Sequence, residues 1–189
     1  MYNPRNVVGG YFEELLSHLL DLVRTDLDLE GNVPDLVSRN HDFYVEVKAS
    51  SYTNGGVINQ EQLYRFDREI DIRRFYAFVY HSINNNMTAD HPTKKSLRKA
   101  LDLRSLFLFP FSIAKAHFER SHKVKTPKHD TYVQLKEGLA RKIFDKDEQA
   151  WDHLQLNPGE YHRSKPRENI HILTRHGHLK KEILQSLRL

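Results

Sequence analysis

Two acidic residues and a lysine between positions 35 and 48 have the types and spacing best suited to chemistry in this sequence. Asp35 follows Pro34, and after ten intervening residues Glu46 and Lys48 flank Val47. Carboxylate oxygens are the ligands that hard divalent cations prefer. A lysine beside them can orient a water molecule or stabilise the charge on a phosphate. These residue types therefore predict metal-assisted chemistry.

The segments that carry these residues predict a β-hairpin. Residues 32–38 and 43–49 are rich in Val, Leu, Phe and Tyr, which is typical of short strands. Residues 39–42 lie between them and predict a turn, because Asn40 tolerates a positive φ. The two strands are therefore expected to pair directly.

The register of this hairpin decides which side chains meet. A two-residue turn at Asn40 and His41 places Asp35 opposite Glu46, with their Cβ atoms about 5 Å apart. Two carboxylates at that distance repel each other unless they share a cation. Lys48 lies two residues beyond Glu46 and points to the same face. An amphipathic edge strand with a surface ion pair explains Glu46 and Lys48 but not the facing Asp35, and a one-residue slip would remove the opposition.

The elements around the hairpin predict an α/β fold. Apolar residues at helical spacing predict a helix over 11–24. Asn59 is a candidate N-cap for a helix over 60–71, and the apolar run at 75–80 predicts a buried strand. The order helix, strand, strand, helix, strand is typical of a central mixed β-sheet flanked by helices. Loops are expected at 50–57 and 81–93.

The second half of the chain has weaker periodicity. We therefore predict a core over residues 1–90 that carries the metal site, and a basic, mostly helical extension over 91–189 that completes the fold. Within this extension we expect a helix over 94–120 interrupted at Pro110, a basic loop over 121–130, a helix within 131–152, a strand over 168–174 and a terminal helix over 178–188.

The charge is unevenly divided between the two halves. Residues 1–90 contain 8 Lys and Arg against 14 Asp and Glu, whereas residues 91–189 contain 21 against 11. A basic half beside an acidic half suggests a polyanion-binding surface next to a carboxylate site. Each basic cluster taken alone is also typical of a solvated face. The candidate nucleic-acid-binding residues are Lys94, Lys95, Arg98, Lys99, Lys123, Lys125 and Lys128.

The composition excludes several other classes of site. The chain has no cysteine, so it has no disulfide, thiolate zinc site, iron–sulfur cluster or cysteine nucleophile. It also lacks an apolar run of about 20 residues and a glycine-rich phosphate loop. We therefore expect an intracellular, cytoplasmic protein without a membrane span or a small organic cofactor.

The motif Pro34-Asp35 … Glu46-Val47-Lys48 resembles the signature of the PD-(D/E)XK nuclease superfamily, which includes restriction endonucleases and archaeal Holliday junction resolvases. The resemblance covers roughly residues 9–81. It implies a restriction-endonuclease-like core and a Mg²⁺- or Mn²⁺-dependent DNA endonuclease that hydrolyses phosphodiester bonds. It also implies a homodimer, because cutting two strands takes two sites.

The resemblance also implies further site residues. Members carry a glutamate on the first helix, for which Glu13 is preferred and Glu14 remains possible. They often carry a glutamine on the helix after the lysine strand, for which Gln62 is preferred over Gln60. The implied metal ligands are Asp35, Glu46, Glu13 and the Val47 carbonyl, and the implied catalytic residues are Lys48, Glu46, Asp35, Glu13 and Gln62.

Three functions remain open within this resemblance. A junction resolvase would recognise branched DNA by its shape. A restriction-type enzyme would read a short sequence through the base edges. A non-catalytic DNA-binding protein would keep the fold and lose the metal. The sequence favours an endonuclease, since every motif position that can be matched carries the residue type that the family uses. A structure-specific, resolvase-like enzyme is our first choice.

Overall fold

The first half of the chain forms two helices and five strands among its described residues. They are α1 (Pro4–Leu19), β1 (Leu22–Arg24), β2 (Leu36–Ser38), β3 (Phe43–Ser51), β4 (Gly56–Asn59), α2 (Gln60–Asp67) and β5 (Arg73–Ile83). The computed structural model describes residues 4–19, 22–25, 34–39, 41, 43–68, 73–83, 101–126, 131–146 and 171–172.

The second half of the chain contributes two helices and four strands within these ranges. They are β6 (Leu101–Pro110), α3 (Phe111–Arg120), β7 (Val124–Lys125), β8 (Thr131–Leu135), α4 (Glu137–Lys146) and β9 (His171–Ile172).

A mixed β-sheet of six described strands forms the centre of an α/β fold. The strand order is β1, β2, β3, β5, β6, β9. Pairs β3–β5 and β6–β9 are parallel, and the other three pairs are antiparallel. Helix α1 packs against β1 and β3, whereas α3 and α4 pack against β6. No described helix is long and apolar enough to cross a lipid bilayer.

The two faces of this sheet pack against different partners. On one face, Tyr76 of β5 contacts Phe66 of α2 and Phe111 of α3 through its ring. On the other face, His81 stacks on Phe12 of α1. Successive strand residues point to opposite faces, so the even-numbered residues of β5 face α2 and the odd-numbered ones face α1.

A second, three-stranded antiparallel sheet covers part of the α2 face. Its order is β4, β8, β7. The Tyr80 hydroxyl of β5 donates a hydrogen bond to the Leu135 carbonyl of β8, with 2.6 Å between the oxygens. The small sheet therefore lies directly over the main sheet, and β4 leads from its edge into α2.

The predicted elements of the first half are largely present, with several boundaries shifted. The helix predicted over 11–24 begins and ends earlier, at Pro4–Leu19, and residues 22–24 form β1 because they pair with β2. The helix predicted over 60–71 ends at Asp67, and the strand predicted over 75–80 is longer, at Arg73–Ile83. Tertiary pairing of this kind routinely overrides local preference. The loop predicted over 50–57 is shorter, since β3 and β4 both extend into it. The helix predicted to begin after Asn59 is confirmed, and the Asn59 side chain accepts hydrogen bonds from the first turn.

The second half departs further from the prediction. Residues 101–110, predicted as helix, form the central strand β6. The apolar run before Pro110 is short and continuous, so its periodicity cannot distinguish a buried strand from a buried helix. The helix predicted within 131–152 is confirmed as α4, and the strand β8 precedes it at residues 131–135. The described part of the extension therefore contains both helices and strands, so the prediction of a mostly helical extension was wrong. β9 confirms a strand within 168–174. The terminal helix predicted over 178–188 lies outside the described residues.

His81 was predicted in a loop but lies in β5, where it is buried to 5% exposure. Its ring stacks on Phe12 at 5.3 Å between centroids. Its Nδ1 atom has no hydrogen-bond partner among the described residues. Burial lowers the pKa of His81 from 6.5 to about 4, because the charged imidazolium is poorly solvated there.

We expect this histidine to weaken the fold in mild acid. Between about pH 6.5 and pH 4 the unfolded chain binds a proton at His81 that the folded chain does not. The free energy of unfolding therefore falls as the pH drops, by about 2 kcal/mol at pH 5. Urea unfolding at pH 8 and pH 5 measures this loss. In His81→Leu the loss should shrink by that amount, whereas the exposed His122→Gln should leave it unchanged. An equal pH dependence in wild type and His81→Leu would contradict the assignment.

Candidate functional site

The register predicted for the β2–β3 hairpin is confirmed. Leu36 pairs with Val45 and Val37 pairs with Tyr44. The ladder ends at Leu36, and Asp35 directly precedes β2, so the predicted pairing of Asp35 with Glu46 is not part of it. Asp35 is nevertheless close enough to Glu46 for the charge of Glu46 to raise its pKa.

The turn that sets this register is described only in part. The positive φ of 55° is found at His41, and Asn40 lies outside the described residues. The His41 N–H donates to the Ser38 carbonyl at 2.9 Å. The Ser38 hydroxyl accepts from the Phe43 N–H at 3.2 Å. The side chain of Ser38 thus closes the turn in addition to its backbone.

Glu46, Lys48 and Gln62 form a closed triangle of hydrogen bonds. Lys48 Nζ lies 2.6 Å from Glu46 Oε1 and 2.7 Å from Gln62 Oε1. Gln62 Nε2 donates to the same Glu46 oxygen at 2.8 Å. Both charged side chains are largely buried, with exposures of 15% for lysine and 7% for glutamate. Of the two glutamines considered, the structure therefore brings Gln62 to the lysine.

Asp35 adds a second carboxylate at the edge of this triangle. Its Oδ2 atom accepts a hydrogen bond from the Val47 N–H at 2.6 Å. The N–H and C=O of one strand residue point to the same side, so the Val47 carbonyl also points toward the end of β2. Asp35 thus caps the place where β3 loses its backbone partner.

The surroundings of Asp35 disfavour its charged form. Burial, followed by the charge of Glu46, raises the pKa of Asp35 from 3.8 to about 7. The positive charge of Lys48 and the Val47 N–H act in the opposite direction, and Glu13 adds a smaller upward contribution. Without a further cation, burial and the neighbouring carboxylate therefore outweigh the stabilisation that Lys48 gives to the Asp35 carboxylate.

Glu13 lies near this group but contacts a different cation. Its Oε2 atom is 2.9 Å from Arg24 Nη2, and both side chains are partly buried. Its charge contributes to the raised pKa of Asp35, so it lies close to the site. The sequence could not have predicted this ion pair, because Arg24 was assigned to the helix and is found in β1.

The donor set fits a hard divalent cation. Asp35 Oδ1 and Glu46 Oε2 take part in none of the hydrogen bonds made among the described residues. With the Val47 carbonyl they offer three oxygen atoms, and Mg²⁺ commonly completes such a set with water. Within the same part of the chain, no three His, Asp or Glu side chains are grouped as a preformed metal site. A cation bound there would also offset the burial of the Asp35 carboxylate and its repulsion from Glu46.

Tyr76 is a neighbour that the sequence did not single out. It pairs with Glu46 across β3 and β5, it is fully buried, and its hydroxyl has no hydrogen-bond partner among the described residues. Burial and the charges of Glu46 and Asp35 raise its pKa, so it stays protonated. From the sequence, only the apolar character of residues 75–80 could be recognised.

The basic residues predicted to bind nucleic acid are only partly described. Lys123 and Lys125 are exposed at β7. Lys123 Nζ lies 5.4 Å from the centre of the Phe118 ring and donates to the Glu119 carbonyl. The positions outside the described residues are Lys94, Lys95, Arg98, Lys99 and Lys128.

Comparison with known proteins adds no relative. No protein-family model, no curated protein and no solved structure matches this chain.

Proposed function

We propose that the chain is a divalent-metal-dependent DNA endonuclease with a restriction-endonuclease-like core. The observation that carries this proposal is the position of Lys48, whose Nζ contacts Glu46 Oε1 and Gln62 Oε1 beside the carboxylate of Asp35. A lysine fixed next to two neighbouring carboxylates matches the motif that the PD-(D/E)XK superfamily uses for phosphodiester hydrolysis. A purely structural role does not explain why two carboxylates that repel each other lie side by side.

Each residue has a distinct role in this proposal. Asp35, Glu46 and the Val47 carbonyl would hold Mg²⁺ or Mn²⁺, with Glu13 in support. When bound, the ion polarises the scissile phosphate and lowers the pKa of a bound water. Lys48 holds the attacking water or the phosphate oxygen through its ammonium. Gln62 fixes the lysine, since it contacts both partners of the ion pair.

DNA binding completes the proposal. The exposed Lys123 and Lys125 lie on the small sheet, whose first strand leads into the helix that carries Gln62. Lysines that neutralise phosphates produce a strongly salt-dependent affinity. A homodimer and a branched substrate remain our preferred form of this activity.

A plasmid-nicking assay tests the proposed function. We expect nicking of supercoiled plasmid with Mg²⁺ or Mn²⁺ and none with a chelator. Glu46→Gln keeps the size of the side chain but removes the charge that holds the cation, so the rate should fall by about 100-fold or more. Glu61→Gln is the control, because Glu61 is exposed and forms an ion pair with Arg65 on its own helix.

Two outcomes would refute the nuclease. One is cleavage that continues in the chelator, and the other is a Glu46→Gln variant that cuts as fast as Glu61→Gln.

A further inference from the structure

An irregularity in the main sheet places Arg104 in an unusual position. Along β5 and β6, Tyr80 pairs with Ser105, but His81 pairs with Leu103. Arg104 is therefore the extra residue of a β-bulge. Bulges re-aim a side chain relative to the regular ladder, and they are over-represented next to functional sites.

The re-aimed arginine stacks on a tyrosine from another strand. The guanidinium carbon of Arg104 lies 4.0 Å from the centre of the Tyr52 ring. Tyr52 directly follows β3 and remains 41% exposed. Such a stack fixes both groups in orientation, so the protein presents a flat aromatic surface next to a positive charge.

The loop that carries Tyr52 is held in place. The Tyr52 N–H donates to the His81 carbonyl at 3.0 Å. The Ser50 hydroxyl donates to the Gly55 carbonyl at 2.6 Å. Gly55 has a φ of 83° and packs against the backbone at Leu135, where a side chain would clash. The ring position is therefore largely set before any ligand arrives.

The positive charge seen at this ring is that of Arg104, which stacks on it. Lys136 is exposed, and its backbone lies against Gly55, three residues beyond Tyr52. An anion bound beside the ring is therefore expected to meet the Arg104 guanidinium.

This surface lies on the strand that carries the site. Tyr52 follows Lys48 by four residues, which corresponds to about 13 Å along an extended strand. That distance is short enough for one nucleic-acid strand to reach both groups.

We infer that Tyr52 and Arg104 bind an unpaired nucleotide of the DNA substrate. Its base stacks on the exposed part of the Tyr52 ring, and Arg104 contacts a neighbouring phosphate. A duplex hides the faces of its bases, so an exposed ring favours unpaired nucleotides. This inference names the substrate of the proposed nuclease and rests on that function for the class of ligand.

Fluorescence anisotropy with labelled DNA tests this inference. The probes are a single-stranded oligonucleotide and the same oligonucleotide annealed to its complement, both in the full-length Glu46→Gln background without metal. We expect the single strand to bind more tightly than the duplex. Adding Tyr52→Ala should weaken single-strand binding about ten-fold and leave the duplex nearly unchanged, whereas Tyr52→Trp should retain binding.

Tyr64→Ala is the matched control, because Tyr64 is a tyrosine of similar exposure, 47%, on α2. Equal single-strand affinity in Tyr52→Ala and Tyr64→Ala would overturn the inference, as would an equal loss for the duplex. Nicking by the wild type is scored separately. If Tyr52-dependent binding holds while metal-dependent nicking is absent, the nuclease is refuted and the single-strand site stands.

Discussion

Lys48→Met is expected to reduce metal-dependent nicking by about 100- to 1000-fold. Methionine keeps the apolar stem and removes only the ammonium group. In the proposed mechanism that group holds the attacking water or the phosphate oxygen, and no second cation touches the Glu46 carboxylate among the described residues. Single-turnover nicking rates at saturating Mg²⁺ measure the loss at the chemical step.

The same substitution is expected to destabilise the fold in the absence of metal. Lys48 and Glu46 are 15% and 7% exposed, and removing one partner of a buried ion pair costs roughly 3–5 kcal/mol. The remaining carboxylate also lies close to Asp35. A divalent cation that binds both carboxylates would replace the lost charge. Added Mg²⁺ should therefore raise the thermal midpoint of Lys48→Met more than that of the wild type.

Lys115→Met is the matched control for this experiment. Lys115 also forms an ion pair, with Asp67 at 2.7 Å, but its side chain is 36% exposed. Exposed pairs contribute little to stability, so we expect a near-normal nicking rate and midpoint. A Lys48→Met variant that cuts as fast as Lys115→Met would show that the lysine has no role in the chemistry.

The position of this lysine was predictable because the hairpin is local. The alternation of apolar residues and a short turn fix which residues of β2 and β3 face each other. Asp35, Glu46 and Lys48 follow from that register without knowledge of the remaining chain. Gln62 was implied by the family resemblance, and the Asn59 cap predicted only where its helix begins.

Features that depend on distant pairing were not predictable. Arg24 reaches Glu13 only because residues 22–24 add a strand to β2. In the sequence, Val23 continues the helical spacing of the apolar residues before it, so the same residues equally suit a helix. Arg104 emerges from a bulge, which depends on how two long strands are aligned. The apolar run of β6 is compatible with helix or strand until its neighbours are known. Local pattern therefore predicted the candidate site, and long-range pairing determined its surroundings.

Gly56 provides a test of how tightly those surroundings hold the lysine. A Cβ atom at this position would lie 2.5 Å from Phe78 Cδ1 and 3.7 Å from Lys48 Cβ. Phe78 is fully buried and packs against Tyr76 and Phe109. Its ring cannot move freely, because protein interiors are close-packed. Gly56→Ala is therefore expected to lower the free energy of unfolding by about 3 kcal/mol, toward the upper end for overpacked cores.

Urea unfolding of two further variants separates a steric clash from a general effect of removing glycine. Gly138→Ala should not destabilise the protein and should stabilise it by up to about 1 kcal/mol, because a Cβ there meets nothing within 4 Å. Phe78→Leu shortens the obstructing ring, so it should cost less in the Gly56→Ala background than in the wild type. Additive costs would mean that Gly56 and Phe78 do not press on each other. If the costs are not additive, the two residues do press on each other, and the displaced Phe78 is expected to disturb Lys48, its partner across β3 and β5. The nicking rate of Gly56→Ala should then fall together with its stability, and both should recover in the double variant.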